Sequence, residues 1–321
     1  MSATATGSRP ADVRPELADD FVQTFEPVRF EPVPYAMELP VLLPQDKNGR
    51  HLSVLSKTAM DDIWCPFRFQ QRRLLKNYGH SSVELLAGSA GEAGVEAMLE
   101  ANLLRGQPIT IADAFDAVDD CWVRRLQSEY VDFRDERPSV VRDQVKRCVR
   151  HYLTEVVPTF VRDGWQLVAL QHSFHERLAP HLLWTVNGVI DQVWFHPKKG
   201  LYRFRDTKFR GNDMKPYRAR RDRQGLLYVS GAERAVLPFE EFYYDSYNRK
   251  TGTLKVLPVR ASRAAIVETW ATVQSAVVQI AALNDRLGLR QPWPLTLDPE
   301  NWRCSERFCS AWGACPRGQL S

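Results

Sequence analysis

Residues 183–228 restrict the fold of this chain more than any other stretch. They contain Trp184-Thr-Val-Asn-Gly188-Val-Ile-Asp191, then Leu201-Tyr-Arg-Phe-Arg-Asp206-Thr-Lys208, then Gln224-Gly-Leu-Leu-Tyr228. Two apolar runs rich in β-branched and aromatic residues predict strands. Pro197-Lys-Lys-Gly200 between them predicts a turn, so the pair reads as an antiparallel hairpin. Alternation places Tyr202, Phe204, Asp206 and Lys208 on one face of the second arm. Carrying a carboxylate and an ammonium into a layer begun by two aromatic rings is costly unless the charges are paired or bind a metal.

Two carboxylates meeting at one point can hold a hard divalent cation, which prefers oxygen ligands. A lysine two residues after the second carboxylate shares its face and can reach a phosphoryl oxygen. Such a set suits phosphodiester hydrolysis. Asp-x-Lys alone is as readily an exposed ion pair on an ordinary strand, and the order and short gaps of all three motifs are what carry the argument.

Gly188-x-x-Asp191, Asp206-x-Lys208 and Gln224-x-x-x-Tyr228 on strand, strand and helix resemble the RecB-like branch of the PD-(D/E)XK nuclease superfamily. The resemblance implies an α/β fold with a mixed sheet flanked by helices. It implies Asp191 and Asp206 as ligands of Mg²⁺ or Mn²⁺ and Lys208 as the catalytic lysine. Gln224 and Tyr228, one turn apart, are then expected to line the site and touch DNA. In the family the first core helix usually adds a histidine to the metal site. The helix expected over Ser89–Leu104 has Val95, Met98, Leu99 and Leu103 on its apolar face, with Glu92, Glu96 and Glu100 one turn apart beside it. By resemblance Glu96, before Met98-Leu99-Glu100, takes the histidine's place as third metal ligand, and Glu92 is the alternative. The family often has a glutamate near the end of the first core strand, expected here over Trp165–Leu178. This chain has Gln171 there, so Gln171, His172 and His175 are left out of the site.

A second resemblance rests on cysteines. Cys65-Pro-Phe-Arg-Phe stands early, and Cys304, Cys309 and Cys315 stand late. A chain without a basic-then-apolar leader argues for a metal or cluster rather than disulfides. One early and three late cysteines flanking the nuclease motifs are similar to the iron–sulfur RecB-like exonucleases, which include the nuclease domain of AddB and the CRISPR-associated RecB-like exonucleases. This implies a 4Fe–4S cluster on Cys65, Cys304, Cys309 and Cys315, joining the two ends of the domain. The wider spacing of the first two late cysteines keeps zinc as an alternative. Cys121 and Cys148 sit in helical patterns and read as core.

The remainder sets the frame. A formal charge of +4 on 321 residues is too small to indicate nucleic acid by itself, and where the charge sits matters more than its sum. Arg210, Lys215, Arg218, Arg220, Arg221 and Arg223 crowd the connection before Gln224, with Tyr217 among them, and read as a phosphate-backbone surface. The basic run Arg142, Lys146, Arg147, Arg150 and His151 reads as a solvated helix face. Residues 1–50, with seven prolines, read as a flexible or extended segment, and 51–321 as the nuclease domain. Within the domain, about 105–162 is expected to be a helical insert and about 300–316 the cluster-binding segment. Ser56 can cap a helix that must break or restart at Pro66. No run of eighteen consecutive apolar residues exists, and a cytoplasmic protein is expected without membrane contact.

The function expected is metal-dependent exonucleolytic hydrolysis of DNA at single-stranded or free ends, in recombination, repair, or CRISPR or phage DNA processing, with partner proteins of those systems. The rivals are a non-catalytic iron–sulfur DNA-binding module and a cluster-based regulatory protein.

Overall fold

The computed structural model describes residues 45–49, 54–177, 185–234, 238–259, 262–295, 304–306 and 309–319. The expected N-terminal segment thus lies almost wholly outside the described residues, as do parts of the cysteine-bearing tail.

A six-stranded mixed sheet forms the centre. The chain enters through β1 (Val54–Ser56) and α1 (Lys57–Asp62), whose start is capped by Ser56 Oγ at 3.2 Å from the Ala59 N–H. It then restarts at Pro66 in α2 (Pro66–Phe69), which runs on as a π-helical turn over Gln70–Leu74. Proline at the first helical position has no N–H to lose, which is why the break falls there. After β2 (Ser81–Ser82) come α3 (Val83–Leu99), α4 (Ile111–Ser128), β3 (Val131–Asp132), α5 (Pro138–His151) and α6 (Val157–Arg162). The core strands follow: β4 (Gln166–Arg177), β5 (Thr185–His196) and β6 (Leu201–Arg210). Then come α7 (Pro216–Arg221), α8 (Arg223–Arg234), β7 (Phe239–Asn248), β8 (Thr253–Val259) and α9 (Arg263–Leu287).

The expected hairpin is β5–β6, with Gly200 at φ +64° closing its turn. β6 pairs with β7 in parallel, so the chain must cross over the sheet between them. That crossover is α7 and α8, and it lays Leu227, Tyr228 and Val229 into the core on one face of the sheet, together with Ile266, Trp270, Val273, Val277 and Ile280 of α9. By length and composition α9 is apolar enough to cross a membrane, yet these five side chains are buried against the sheet layer.

The other face carries α3, α4 and α5 around Leu86, Val118, Val145, Trp194 and Phe209. α3 begins six residues before Ser89, with the Ser82 hydroxyl capping the Leu85 N–H at 3.3 Å. The glycines that obscure this start are spacing devices. A Cβ on Gly91 would stand 2.3 Å from the Phe209 ring, and one on Gly94 would stand 2.6 Å from Val118. They let α3 approach β6 and α4 closely. The basic face of α5 is spent locally: Lys146 pairs with Asp119, Arg147 bonds the Arg249 and Lys250 carbonyls, and Arg150 lies over Phe115.

Beneath the hairpin, the residues adjacent to the motif carboxylates point the opposite way and join a buried polar network. Gln192 Nε2 donates to Thr207 Oγ1 at 3.1 Å, while its Oε1 accepts from Trp194 Nε1 and lies 2.9 Å from the Tyr152 hydroxyl. Arg205 grips Asp245 through two bonds of 2.7 and 2.6 Å, with its guanidinium 4.0 Å from the Phe160 ring centre.

Candidate active site

The site lies where the ladder fails. β5 pairs with β1 only over Thr185–Asn187 and with β6 only over Gln192–His196, so Gly188-Val-Ile-Asp191 has no described strand on that edge. The register of β5 and β6 stops one pair short of Asp191 and Asp206. Backbone groups left open this way need other partners. The Tyr228 hydroxyl fills one of them by donating to the Val189 carbonyl. Gly188 is required for this arrangement, because a Cβ there would stand 2.3 Å from Phe174 and 2.7 Å from Tyr228. Gln224, one turn before Tyr228, donates from Nε2 to Asp206 Oδ2 and to the Tyr228 oxygen, each at 2.7 Å. Gln224 and Tyr228 thus brace the site from the crossover helix.

Lys208 Nζ stands 2.6 Å from Asp206 Oδ1, and Asp206 is fully buried. Burial holds the Asp191 carboxyl well above the usual range, and the neighbouring Asp206 charge raises it further. Burial alone lowers the Lys208 ammonium, but the Asp206, Asp191 and Glu92 carboxylates outweigh it and push it up. Among the described residues Asp191 Oδ2 and Asp206 Oδ1 are buried with no hydrogen-bond donor, apart from the Lys208 ion pair on the latter. Acceptors gathered without donors are a costly arrangement unless a proton or a cation enters.

The third carboxylate at this cluster is Glu92. Burial and its neighbours Asp206 and Glu96 push it up to about 7 against the pull of Lys208. Glu96, one turn on, is turned aside to accept a hydrogen bond from Gln171 Nε2. Of the two glutamates expected here, Glu92 is the one that feels the Asp206–Lys208 pair, while Glu96 is engaged by Gln171. Gln171 enters the surroundings of the site after all. Its backbone has φ +47°, and it falls between the pairs Leu170–Gln192 and His172–Ile190, opposite Asp191. A non-glycine residue in that region is uncommon and strained, and nothing in a single sequence signals it.

These charges have a testable consequence. Glu92 binds its proton more tightly folded than unfolded, so its contribution to stability is present at low pH and lost as pH rises through about 7. Burial lowers His172 to about 4, which adds an opposite trend at lower pH. The Asp191 carboxyl, also raised, adds to the Glu92 trend above the range where His172 titrates. Metal-free protein is expected to melt at a lower temperature at pH 8 than at pH 6.5. Glu92→Gln should flatten that difference, and Mg²⁺ should raise the melting temperature more at pH 8. Calorimetry in EDTA and in Mg²⁺ checks this, and an unchanged slope in Glu92→Gln contradicts it.

Of the expected backbone-binding residues, Lys215, Arg218 and Arg220 are exposed on and before α7, as is Tyr217. Asp213, which opposes them in sequence, is bonded to Lys255 and Asn248. Arg210 is half-buried, and Arg223 pairs with Asp61 at 3.8 Å. The side chain of Arg221 lies outside the described residues.

Cys65 and Cys315 are buried in one small apolar group with Phe67. Cys309 is buried beside both; burial is the main influence raising its thiol, and its two cysteine neighbours add to it. Cys304 lies 3.6 Å from Arg317 Nη1. All six cysteines are free, and burial pushes Cys148 up to about 11, the mark of an inert core thiol.

Among the described residues no three His, Cys, Asp or Glu side chains converge tightly enough to form a closed metal cage. The carboxylate cluster still fits a cation. Three carboxylates face one lysine, and Mg²⁺ is typically held by one or two carboxylates, waters and substrate phosphate rather than by an all-protein cage.

A family model of the PD-(D/E)XK nuclease superfamily matches residues 63–316. The chain belongs to that superfamily. Its members are typically metal-dependent nucleases that use Mg²⁺ or Mn²⁺, which makes DNA the implied substrate. No curated protein matches the chain.

Proposed function

We propose that the chain is a Mg²⁺- or Mn²⁺-dependent DNA exonuclease acting on single-stranded or free ends. The supporting observation is the pair Asp191 and Asp206 facing each other in the gap between β5 and β6, with Lys208 Nζ 2.6 Å from Asp206. In this reading Asp191, Asp206 and Glu92 hold the cation, and Glu96 supports the helix through Gln171. When bound, the cation lowers the pKa of water and draws charge from the phosphate. Lys208, held charged by the carboxylates, donates to a phosphate oxygen as negative charge grows there. Gln224 fixes the Asp206 carboxylate and Tyr228 holds the β5 edge open. Lys215, Arg218 and Arg220 bind the approaching backbone, and Tyr217 offers a ring for an unpaired base. Recombination, repair, or CRISPR or phage DNA processing is the proposed setting, in the cytoplasm and with partners from those systems.

End-labelled linear DNA, single- and double-stranded, and circular single strands test this reading. Nucleotide release from linear strands only, and only with metal, is expected. Cutting of circles contradicts the exonuclease assignment, and inert protein with bound DNA favours the non-catalytic module.

We also propose that Cys65, Cys304, Cys309 and Cys315 share a 4Fe–4S cluster, with zinc as the alternative. The neighbouring Cys65, Cys309 and Cys315 support it. Protein purified without oxygen should be brown and carry iron and acid-labile sulfide. Serine at any of these four should bleach it and lower its melting temperature, because ligand binding in a folded site is folding free energy. Serine at Cys121 or Cys148 should leave the colour. A colourless protein with zinc supports the alternative, and full colour in Cys65→Ser contradicts both.

A further inference from the structure

We propose a second phosphate site, built by Arg68, Arg72 and Arg73 around Asp62, that takes the terminal phosphate monoester of a DNA strand. The inference rests on the nuclease reading above and extends it to the strand end. The break at Pro66 folds α2 back on the end of α1, and Arg68 and Arg72, one turn apart, meet the same carboxylate. Arg68 Nε and Arg72 Nη1 stand 3.0 and 2.7 Å from Asp62 Oδ1, and Arg73 Nε stands 2.8 Å from Oδ2.

Anchoring one aspartate needs one guanidinium, whose fork satisfies both oxygens. Three on one carboxylate leave two positive charges over, and Asp62 is fully buried while the arginines keep 15, 19 and 20% of their surface. Each guanidinium brings about five N–H donors and a carboxylate accepts about four, so among the described residues most donors are left for another acceptor. Arg72 Nε is buried with no hydrogen-bond partner among the described residues. Two surplus charges match a dianion. A terminal phosphate monoester carries roughly −1.5 to −2 at neutral pH, whereas an internal diester carries one charge. Asp61, next to Asp62, pairs with Arg223 at 3.8 Å, and the following residue, Gln224, touches Asp206. Asp61, Arg223 and Gln224 thus link the arginine group to Asp206, so an end held there would lie at a fixed distance from the bond cut.

Binding is measured by fluorescence anisotropy in EDTA, with one oligonucleotide carrying a 5′-phosphate, a 3′-phosphate or neither. Arg68 also neighbours Cys309, so the variants are Arg72→Gln and Arg73→Gln together. Wild type is expected to bind one phosphorylated form about tenfold or more tighter than the bare strand, and the double variant to lose that preference. Arg73→Lys, which keeps the charge against Asp62 and loses the planar fork, should fold and lose part of it. Equal binding of all three strands by wild type overturns the site, as does a preference that survives in the variants. Preference without cleavage on adding Mg²⁺ overturns the nuclease reading and leaves this site standing. Cleavage without preference does the reverse.

Discussion

Lys208→Ala is expected to lower DNA cleavage by at least about a thousandfold, and Asp206→Asn by as much, since each removes a group aimed at charge that develops in the transition state or at the cation. The folds should survive. Asp206→Asn keeps the shape that Gln224 holds and removes one of three crowded carboxylates, so its metal-free melting temperature should equal or exceed that of wild type. Lys208→Ala removes the one ammonium facing those carboxylates and should melt lower in EDTA, with Mg²⁺ restoring the difference. Single-turnover cleavage measured beside thermal melting separates chemistry from folding. Near-wild-type cleavage in both variants rules out the assignment.

Asp245→Ala should cost about 3–5 kcal/mol of folding stability, the largest structural effect expected. Arg205 and Asp245 are 3% and 0% exposed, and their bidentate bond sits in the network directly under the hairpin. Removing the aspartate leaves a guanidinium buried among Phe160 and Tyr243 with no counter-charge. Removing both charges, as in Arg205→Met with Asp245→Leu, should recover much of the loss. Urea unfolding decides this: a cost below about 1 kcal/mol for Asp245→Ala means that water or another group satisfies Arg205.

The hairpin, the restart at Pro66 and the core strands were legible because each rests on local rules: alternation and proline geometry. The bracing role of Gln224 and Tyr228 was legible only as a spacing. Its cause, a carbonyl on β5 left open where the strands part, is a property of strand pairing far away in sequence. Glu92 against Glu96 could not be settled from periodicity, since both lie on one helix face. The proposal of Glu92 rests on how closely Gly91 lets α3 approach Phe209 and on the hydrogen bond that Glu96 accepts from Gln171. The break at Pro66 was legible, but the meeting of Asp62 with three arginines across it was not, since it depends on how the two helices pack.

The proposed function requires a divalent cation held by Asp191 and Asp206 with Glu92 beside it. Calorimetric titration of Mn²⁺ into wild type, Asp191→Asn, Glu92→Gln and Glu96→Gln at pH 8 tests it most directly. Binding to wild type is expected, with its loss in Asp191→Asn, clear weakening in Glu92→Gln and little change in Glu96→Gln. Wild-type affinity in Asp191→Asn, or a loss confined to Glu96→Gln, would contradict it.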